Sequence, residues 1–198
     1  MDTKPHPTAL TPRLGHYEID APRSTVTFAT RHLFGLAPVH GTFSVTAGTV
    51  DIAEPLTASR IHAEIDAASF RTGLPPRDVT VRSAQLLDTE QYPVITFDAG
   101  GEAGAEAGAG GPGAAGSGAA DGAVGGALLT GQLTVRGVSR PVRLSVESVA
   151  PAGNGTAPGS FTARARARVD RAEFGITGFR GLAGRRLDLV LEVRCVHQ

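Results

Sequence analysis

The chain has no tryptophan, two tyrosines, one methionine and one cysteine among its 198 residues. With Cys195 alone, no internal disulfide can form and no metal site can be assembled from several thiolates. Net charge is missing as well. Nineteen basic residues meet nineteen acidic ones, so no global field favours nucleic acid or an anionic membrane surface. No apolar run is long enough to cross a bilayer as a helix. The opening "MDTKPHPTALTPRLG" holds three prolines and no apolar stretch of a secretory signal. These absences predict a soluble cytoplasmic protein with no integral membrane segment and no nucleic-acid partner.

Catalytic and metal signatures are scarce too. His6, His16, His40, His62 and His197 are scattered without the short fixed spacings of a metal site, so no metal and no cofactor is expected. There is no G-x-S-x-G, no cysteine paired with histidine near a helix start, and no carboxylate pair at a strand end. No catalytic residue is assigned. An enzyme acting on a small apolar substrate, with His32 and Asp78 as acid and base, is the alternative from another class. A packed β-module that binds a protein partner is a third.

What the chain does have is alternation. In "GQLTVRGVSRPVRLSVESV" Leu133 and Val135, then Val142, Leu144 and Val146, are apolar between polar neighbours. Period two gives a strand one buried and one wet face, and "RGVSRP" between the runs has the residues of a tight connection. Val26 and Phe28, Val39 to Val45, Ile61 to Ile65, and Ile95 with Phe97 repeat the pattern at roughly ten-residue spacing. Near the end, Ala163, Ala165, Ala167 and Val169 stand opposite Arg164, Arg166 and Arg168, and Leu187 to Val193 alternate with charge. "RDVTVRSAQLLDTEQ", residues 77–91, breaks the rhythm and suits a short helix or a lid-like turn over a sheet opening.

Residues 1–14 read as a flexible tail and 15–198 as a single domain. A Gly/Ala-rich stretch at 100–126 cannot bury enough apolar surface to offset its ordering entropy, and it reads as a disordered insertion in a hairpin. The fold class is all-β. With about eight strands and no long amphipathic helix, the sheet must close on itself or face a second sheet. With few aromatics to fill it, an eight-stranded barrel can hold one small ligand. The alanine row would form a trough if it points inward, or mark a close approach to a neighbouring element.

Four ordered blocks then carry a resemblance: "YEIDAPRSTVTFATRHLFGLAPVHGTFSVTAGTV", "SFRTGLPPRDVTVRSAQLLDTEQYPVITF", "LTGQLTVRGVSRPVRLSV" and "RVDRAEFGI". Together they resemble the YceI-like family of lipocalin-like polyisoprenoid-binding proteins, over roughly Tyr17 to Val193 apart from the insertion. The resemblance implies an extended antiparallel lipocalin-like barrel with one short helix near its mouth. It also implies a non-enzymatic role in carrying or sequestering an isoprenoid lipid, either a polyprenyl phosphate or an isoprenoid quinone. The pattern departs from the family at Thr80 and Val81, where a histidine commonly stands.

The candidate ligand-binding set is Phe28, His32, Phe43, Arg77, Phe97, Leu133, Val135, Leu144, Phe174, Ile176 and Leu189. The apolar members would line the channel, ordinary core packing being the competing reading for each. His32 would reach a head group or bond near a strand end. Arg77 would meet a pyrophosphate through its planar fork, or pair locally while Asp78 caps the helix. The arginine stripe, with no interleaved aromatics, reads as a solvated outer face. A homodimer through an outer strand face is compatible with the pattern, but no residue specifies it.

Overall fold

The computed structural model describes residues 12–32, 37–55, 58–100, 127–153, 157–179 and 184–198. Nine β-segments occur: β1 (Gly15–Ile19), β2 (Thr25–His32), β3 (Ala37–Ile52), β4 (Arg60–Arg71), β5 (Val94–Ala99), β6 (Leu128–Val135), β7 (Val138–Pro151), β8 (Phe161–Asp170) and β9 (Arg186–His197). One helix, α1 (Pro75–Arg82), falls between β4 and β5. All pairings are antiparallel. The sheet runs β3-β2-β9-β8-β7-β6-β5-β4 and closes through β3 and β4. The ninth segment adds no further stave. β1 lies between the same neighbours as β2, pairing Tyr17 with Val50 of β3 and with His197 of β9. The two are consecutive halves of one stave, interrupted by a 3-10 turn at Ala21–Arg23. At the break the Ser24 hydroxyl donates to the Asp20 carbonyl at 2.8 Å and accepts from the Arg194 N–H at 3.0 Å. The barrel therefore has eight staves, and closure removes the exposed sheet edges.

The alternation read from the sequence fixes which side chains point inward. Val26 and Phe28, Ile95 and Phe97, Leu133 and Val135, Val142 and Leu144 are all buried. The alanine row also faces in: Ala167 is buried, and Ala163 packs against the core. Arg164, Arg166 and Arg168 face solvent, where Arg166 meets Glu147 at 2.7 Å and Arg168 meets Asp188 at 2.7 Å. These exposed pairs contribute little to stability, yet they coat this wall with charge that a hydrocarbon-facing barrel would exclude. Among the described residues, no helix is long and apolar enough to cross a membrane.

Two connections differ in detail from the expectation. The β6–β7 turn is only Arg136 and Gly137, both at positive φ (52° and 70°). That is the two-residue form whose twist matches the flanking strands, so Val138 to Pro141 already belong to β7. The helix begins at Pro75 and spans eight residues. Prolines at its first positions need no N–H partner, and tight turns follow it, with Leu87 N–H on the Val81 carbonyl and Asp88 N–H on the Ser83 carbonyl, both 2.9 Å. The expected insertion lies almost wholly outside the described residues, as do residues 1–11 of the expected tail.

The two poles of the barrel differ. At one, Tyr17 is fully buried, its ring 4.9 Å edge-on to Phe161 and 4.9 Å from His197. The Tyr17 hydroxyl donates to the Arg13 carbonyl at 2.8 Å. Ile19, Val50, Val149 and Cys195 complete this packed end. Burial pushes the Cys195 thiol up to about 12, so the one sulfhydryl is neutral and inert. At the other pole, beneath α1, the interior is hollow.

Candidate functional site

The hollow half is a cavity of about 490 Å³, within the roughly 300–1,000 Å³ typical of small-molecule sites. Its wall is assembled from the α1-proximal ends of most staves. β2 and β3 supply Val26, Phe28, Val39 and Phe43, β4 and β5 supply Ile65, Phe70 and Ile95, and β6 supplies Leu133 and Val135. β8 and β9 add Val169, Leu187 and Leu189. Three rings form one side: Phe28 stacks on Phe70 at 5.1 Å, and Phe43 approaches both at 5.7 and 5.3 Å. Space for that cluster depends on Gly41, where a Cβ would lie 2.5 Å from Phe28 and from the Arg71 carbonyl.

The roof comes from segments outside the sheet. Leu86 and Leu87, carried by the turns after α1, close one side. Phe174, from a 3-10 turn at Arg171–Phe174, and Ile176 close the other. The two sides meet at Gly178, where a Cβ would stand 3.1 Å from the Gln85 carbonyl and 3.1 Å from Leu86.

Arg171 organises the second side. Its guanidinium donates to the carbonyls of Gly184, Ile176 and Gly178, each at 2.8 Å. Burial lowers its pKa from the ordinary value, but an arginine stays charged at neutral pH. Replacing Arg171 by Ala leaves these carbonyls short of a donor and lowers stability by about 2 kcal/mol, a fall of several degrees in Tm for a chain of this size. Arg171→Lys does not restore it, because one ammonium cannot span three acceptors as a planar fork does. A lysine variant melting like the parent would refute that role.

Four side chains in the lining are polar: Thr30, Arg77, Thr80 and Arg171. Thr30 donates to the Arg186 carbonyl at 2.7 Å and Thr80 to the Pro76 carbonyl at 2.9 Å. With Arg171 also engaged, Arg77 differs from the others, making no hydrogen bond or ion pair with any described residue. Among the described lining side chains there is no carboxylate, histidine or thiol. The wall supplies apolar surface and, at its rim, one uncommitted cation.

Of the residues singled out from the sequence, Phe28, Phe43, Arg77, Leu133, Val135, Phe174, Ile176 and Leu189 line this cavity. Phe97 and Leu144 are buried but do not line it. Phe97 packs towards the closed pole over Gly131, where a Cβ would sit 2.4 Å from its ring. Leu144 pairs with Leu129 and Ala167 below the cavity. His32 ends β2 opposite Ala37, and its side chain lies outside the described residues. Asp78 is buried and faces away from the lining: one carboxylate oxygen accepts from the Thr72 N–H at 2.9 Å and the Thr72 hydroxyl at 2.6 Å. It closes the turn before α1 and makes no N-cap. Sequence reasoning missed Phe70, Arg171 and Phe179 as wall residues. Arg171 was within reach, since it stands in the quoted "RVDRAEFGI".

Outside the barrel, His62 Nδ1–H donates to the Asp98 carboxylate at 2.7 Å, and Nε2 lies 3.4 Å from Glu64. The Asp98 contact raises the His62 pKa. Among the described residues, no group of three or more His, Cys, Asp or Glu is placed to hold a metal ion.

Comparison with known proteins agrees with this architecture. The model of the YceI-like domain matches residues 17–195. Protein YceI of Escherichia coli O17:K52:H18 is 28% identical over 188 residues, covering 92% of this chain and 87% of that protein. UPF0312 protein Ent638_1570 of Enterobacter sp. strain 638 is 29% identical over 191 residues, covering 92% and 86%. Among solved structures, BcnA of Burkholderia cenocepacia superimposes with a TM-score of 0.59 at 21% identity, covering 89% of this chain and 98% of BcnA. A polyisoprenoid binding domain of Saccharophagus degradans gives 0.58 at 16% identity, covering 94% and 100%.

Proposed function

The chain belongs to the YceI-like family, and from that premise we propose that it binds an isoprenoid lipid, the tail in the cavity beneath α1 and an anionic head at Arg77. The observation that carries this reading is an apolar cavity of about 490 Å³ in which, among the described residues, the one unengaged polar side chain is a cation at the rim. The fold likeness to the polyisoprenoid binding domain of Saccharophagus degradans supports the same ligand class. Each buried methylene contributes roughly 0.8 kcal/mol, so a five-carbon isoprene unit contributes about 4 kcal/mol before ordering costs. The tail therefore dominates affinity.

Phe28, Phe43, Leu133, Val135, Phe174, Ile176 and Leu189 contact the tail in this reading, while Phe97 and Leu144 support the wall from below. The function is carriage or sequestration without turnover. Between the two candidate classes, the free guanidinium favours a polyprenyl phosphate over a quinone, because a planar fork matches phosphate oxygens.

Native mass spectrometry of the full chain with added polyprenyl phosphate, polyprenol and isoprenoid quinone tests this. We expect adducts with all three and the tightest with the phosphate. Arg77→Ala weakens the phosphate ligand roughly tenfold, the order of a single charge-assisted bond, and leaves the polyprenol unchanged. A bare mass with every ligand refutes the tail site. Equal loss for phosphate and alcohol refutes the role of Arg77.

A further inference from the structure

Helix α1 turns Val81 to the core and cavity but leaves its other apolar residues largely outside. Its one buried residue is Asp78, whereas Val79 is 65% exposed and Leu74, immediately before the helix, 47%. Pro75 and Pro76 are exposed between them. A helix covering a barrel ordinarily turns its apolar stripe to the core and its charges to water. Here the most exposed side chains are the apolar ones. Phe179, 40% exposed, adds to this surface from the facing lip of the mouth. Clustered exposed apolar side chains of this kind mark an interaction site.

On the segment that carries Leu74 and Val79 the exposed charges have one sign, although Glu90 and Glu173 are exposed on neighbouring segments. Segment 71–82, "RTGLPPRDVTVR", holds three arginines and one acid. The acid is Asp78, whose carboxylate is buried on Thr72. Arg71 is exposed, and neither it nor Arg77 has a partner among the described residues. Elsewhere on the barrel wall Arg164 is paired with Glu147 at 3.1 Å, while the exposed Arg60 and Arg143 have no partner among the described residues. Although the whole chain is neutral, this lip presents apolar side chains between unpaired cations.

We propose that the α1 lip docks on an anionic lipid surface, with Leu74 and Val79 inserted at the headgroup level and Arg71 and Arg77 on the anionic heads. The lip is continuous with the cavity, since Pro76, Arg77 and Thr80 belong to both. An apolar tail can then pass between a bilayer and the barrel without crossing water, which rests on the cavity being a tail site. Apolar insertion combined with basic residues is the usual basis of reversible surface binding.

The test is co-sedimentation of the full chain with vesicles of equal parts phosphatidylglycerol and phosphatidylcholine, beside a Leu74→Asp, Val79→Asp double variant. Neither position lines the cavity, and both are exposed, so the variant keeps the parent's melting curve. We expect the parent to bind and the variant to bind at least about tenfold more weakly. Parent binding also falls as salt rises from about 0.01 to 0.15 M, which shortens the screening length from roughly 30 to 8 Å. Loading with polyprenol from detergent micelles, measured separately, is the same for both. If neither loads, the cavity reading fails while the vesicle result keeps its meaning. No parent sedimentation, equal sedimentation of the two, or equal binding to pure phosphatidylcholine overturns the docking proposal. So does a dimer in sedimentation velocity that the double variant dissolves, which assigns the face to a second copy.

Discussion

Leu189→Trp is expected to abolish isoprenoid loading, by at least about a hundredfold in affinity, while leaving the protein folded. Leu189 points from β9 into the cavity and is only half-buried there. The added ring therefore enters a void instead of a packed core. It displaces the volume of roughly one isoprene unit, and losing about four or five buried methylenes corresponds to 3–4 kcal/mol, more than the 2.7 kcal/mol of a hundredfold change. Stability should stay within about 1 kcal/mol of the parent, because overpacking penalties arise where space is already full. The chain has no other tryptophan, so the new indole also reports directly on its surroundings. Native mass spectrometry and fluorescence titration read both effects. A variant that loads as the parent does would place the ligand somewhere other than this cavity.

The largest stability effect is expected at the opposite pole. Tyr17→Ala removes a fully buried ring that touches both Phe161 and His197, and truncations of this size cost about 3–5 kcal/mol. That is a third or more of the stability of a typical domain. Tyr17→Phe loses only the bond to the Arg13 carbonyl and costs about 1 kcal/mol. Urea denaturation midpoints should rank parent, phenylalanine and alanine variants in that order. Because Tyr17 is remote from the cavity lining, the folded fraction of either variant should still load ligand. An alanine variant as stable as the parent would mean that this pole does not hold the barrel together.

The contrast between these residues shows what a period-two pattern conveys. Leu133, Leu144 and Phe97 are indistinguishable in the sequence: each is an apolar residue flanked by polar ones on a short strand. Alternation correctly turned all three inward, because the side of a strand is a local property. Depth along the barrel axis is not local. It follows from the register of each pair and from the irregularity in β3–β4, where Thr42 faces Arg71 but Ser44 already faces Asp66. In the β6–β7 pair Leu133 faces Arg140 near the turn and Leu144 faces Leu129 farther from it, which puts Leu133 in the wall of the cavity and Leu144 beneath it.

Polar residues were harder to read for a related reason. Asp78 and Arg77 are adjacent in sequence, yet one is buried on Thr72 and the other is unengaged at the rim. Their roles depend on which way an eight-residue helix faces, and α1 buries Asp78 while leaving Val79 exposed. Arg171 acts through three backbone carbonyls that no side-chain pattern announces. The aromatic side of the cavity was half legible: Phe28 and Phe43 follow the alternation, while Phe70 sits in the irregular part of β4.

The polarity of the barrel has a further consequence for how the protein can be tethered. β1 begins and β9 ends at the closed pole, where the Gln198 N–H donates to the His16 carbonyl at 3.1 Å. Ala99 and Leu128, which bound the Gly/Ala-rich segment, also lie at this end of their strands. Every long covalent extension of the barrel is thus rooted at one end, and the cavity lies at the other. A fusion partner, an immobilising tag or a lengthened insert attached at any of these three points leaves the mouth unobstructed, so the barrel can be held by its base while its opening faces a second surface.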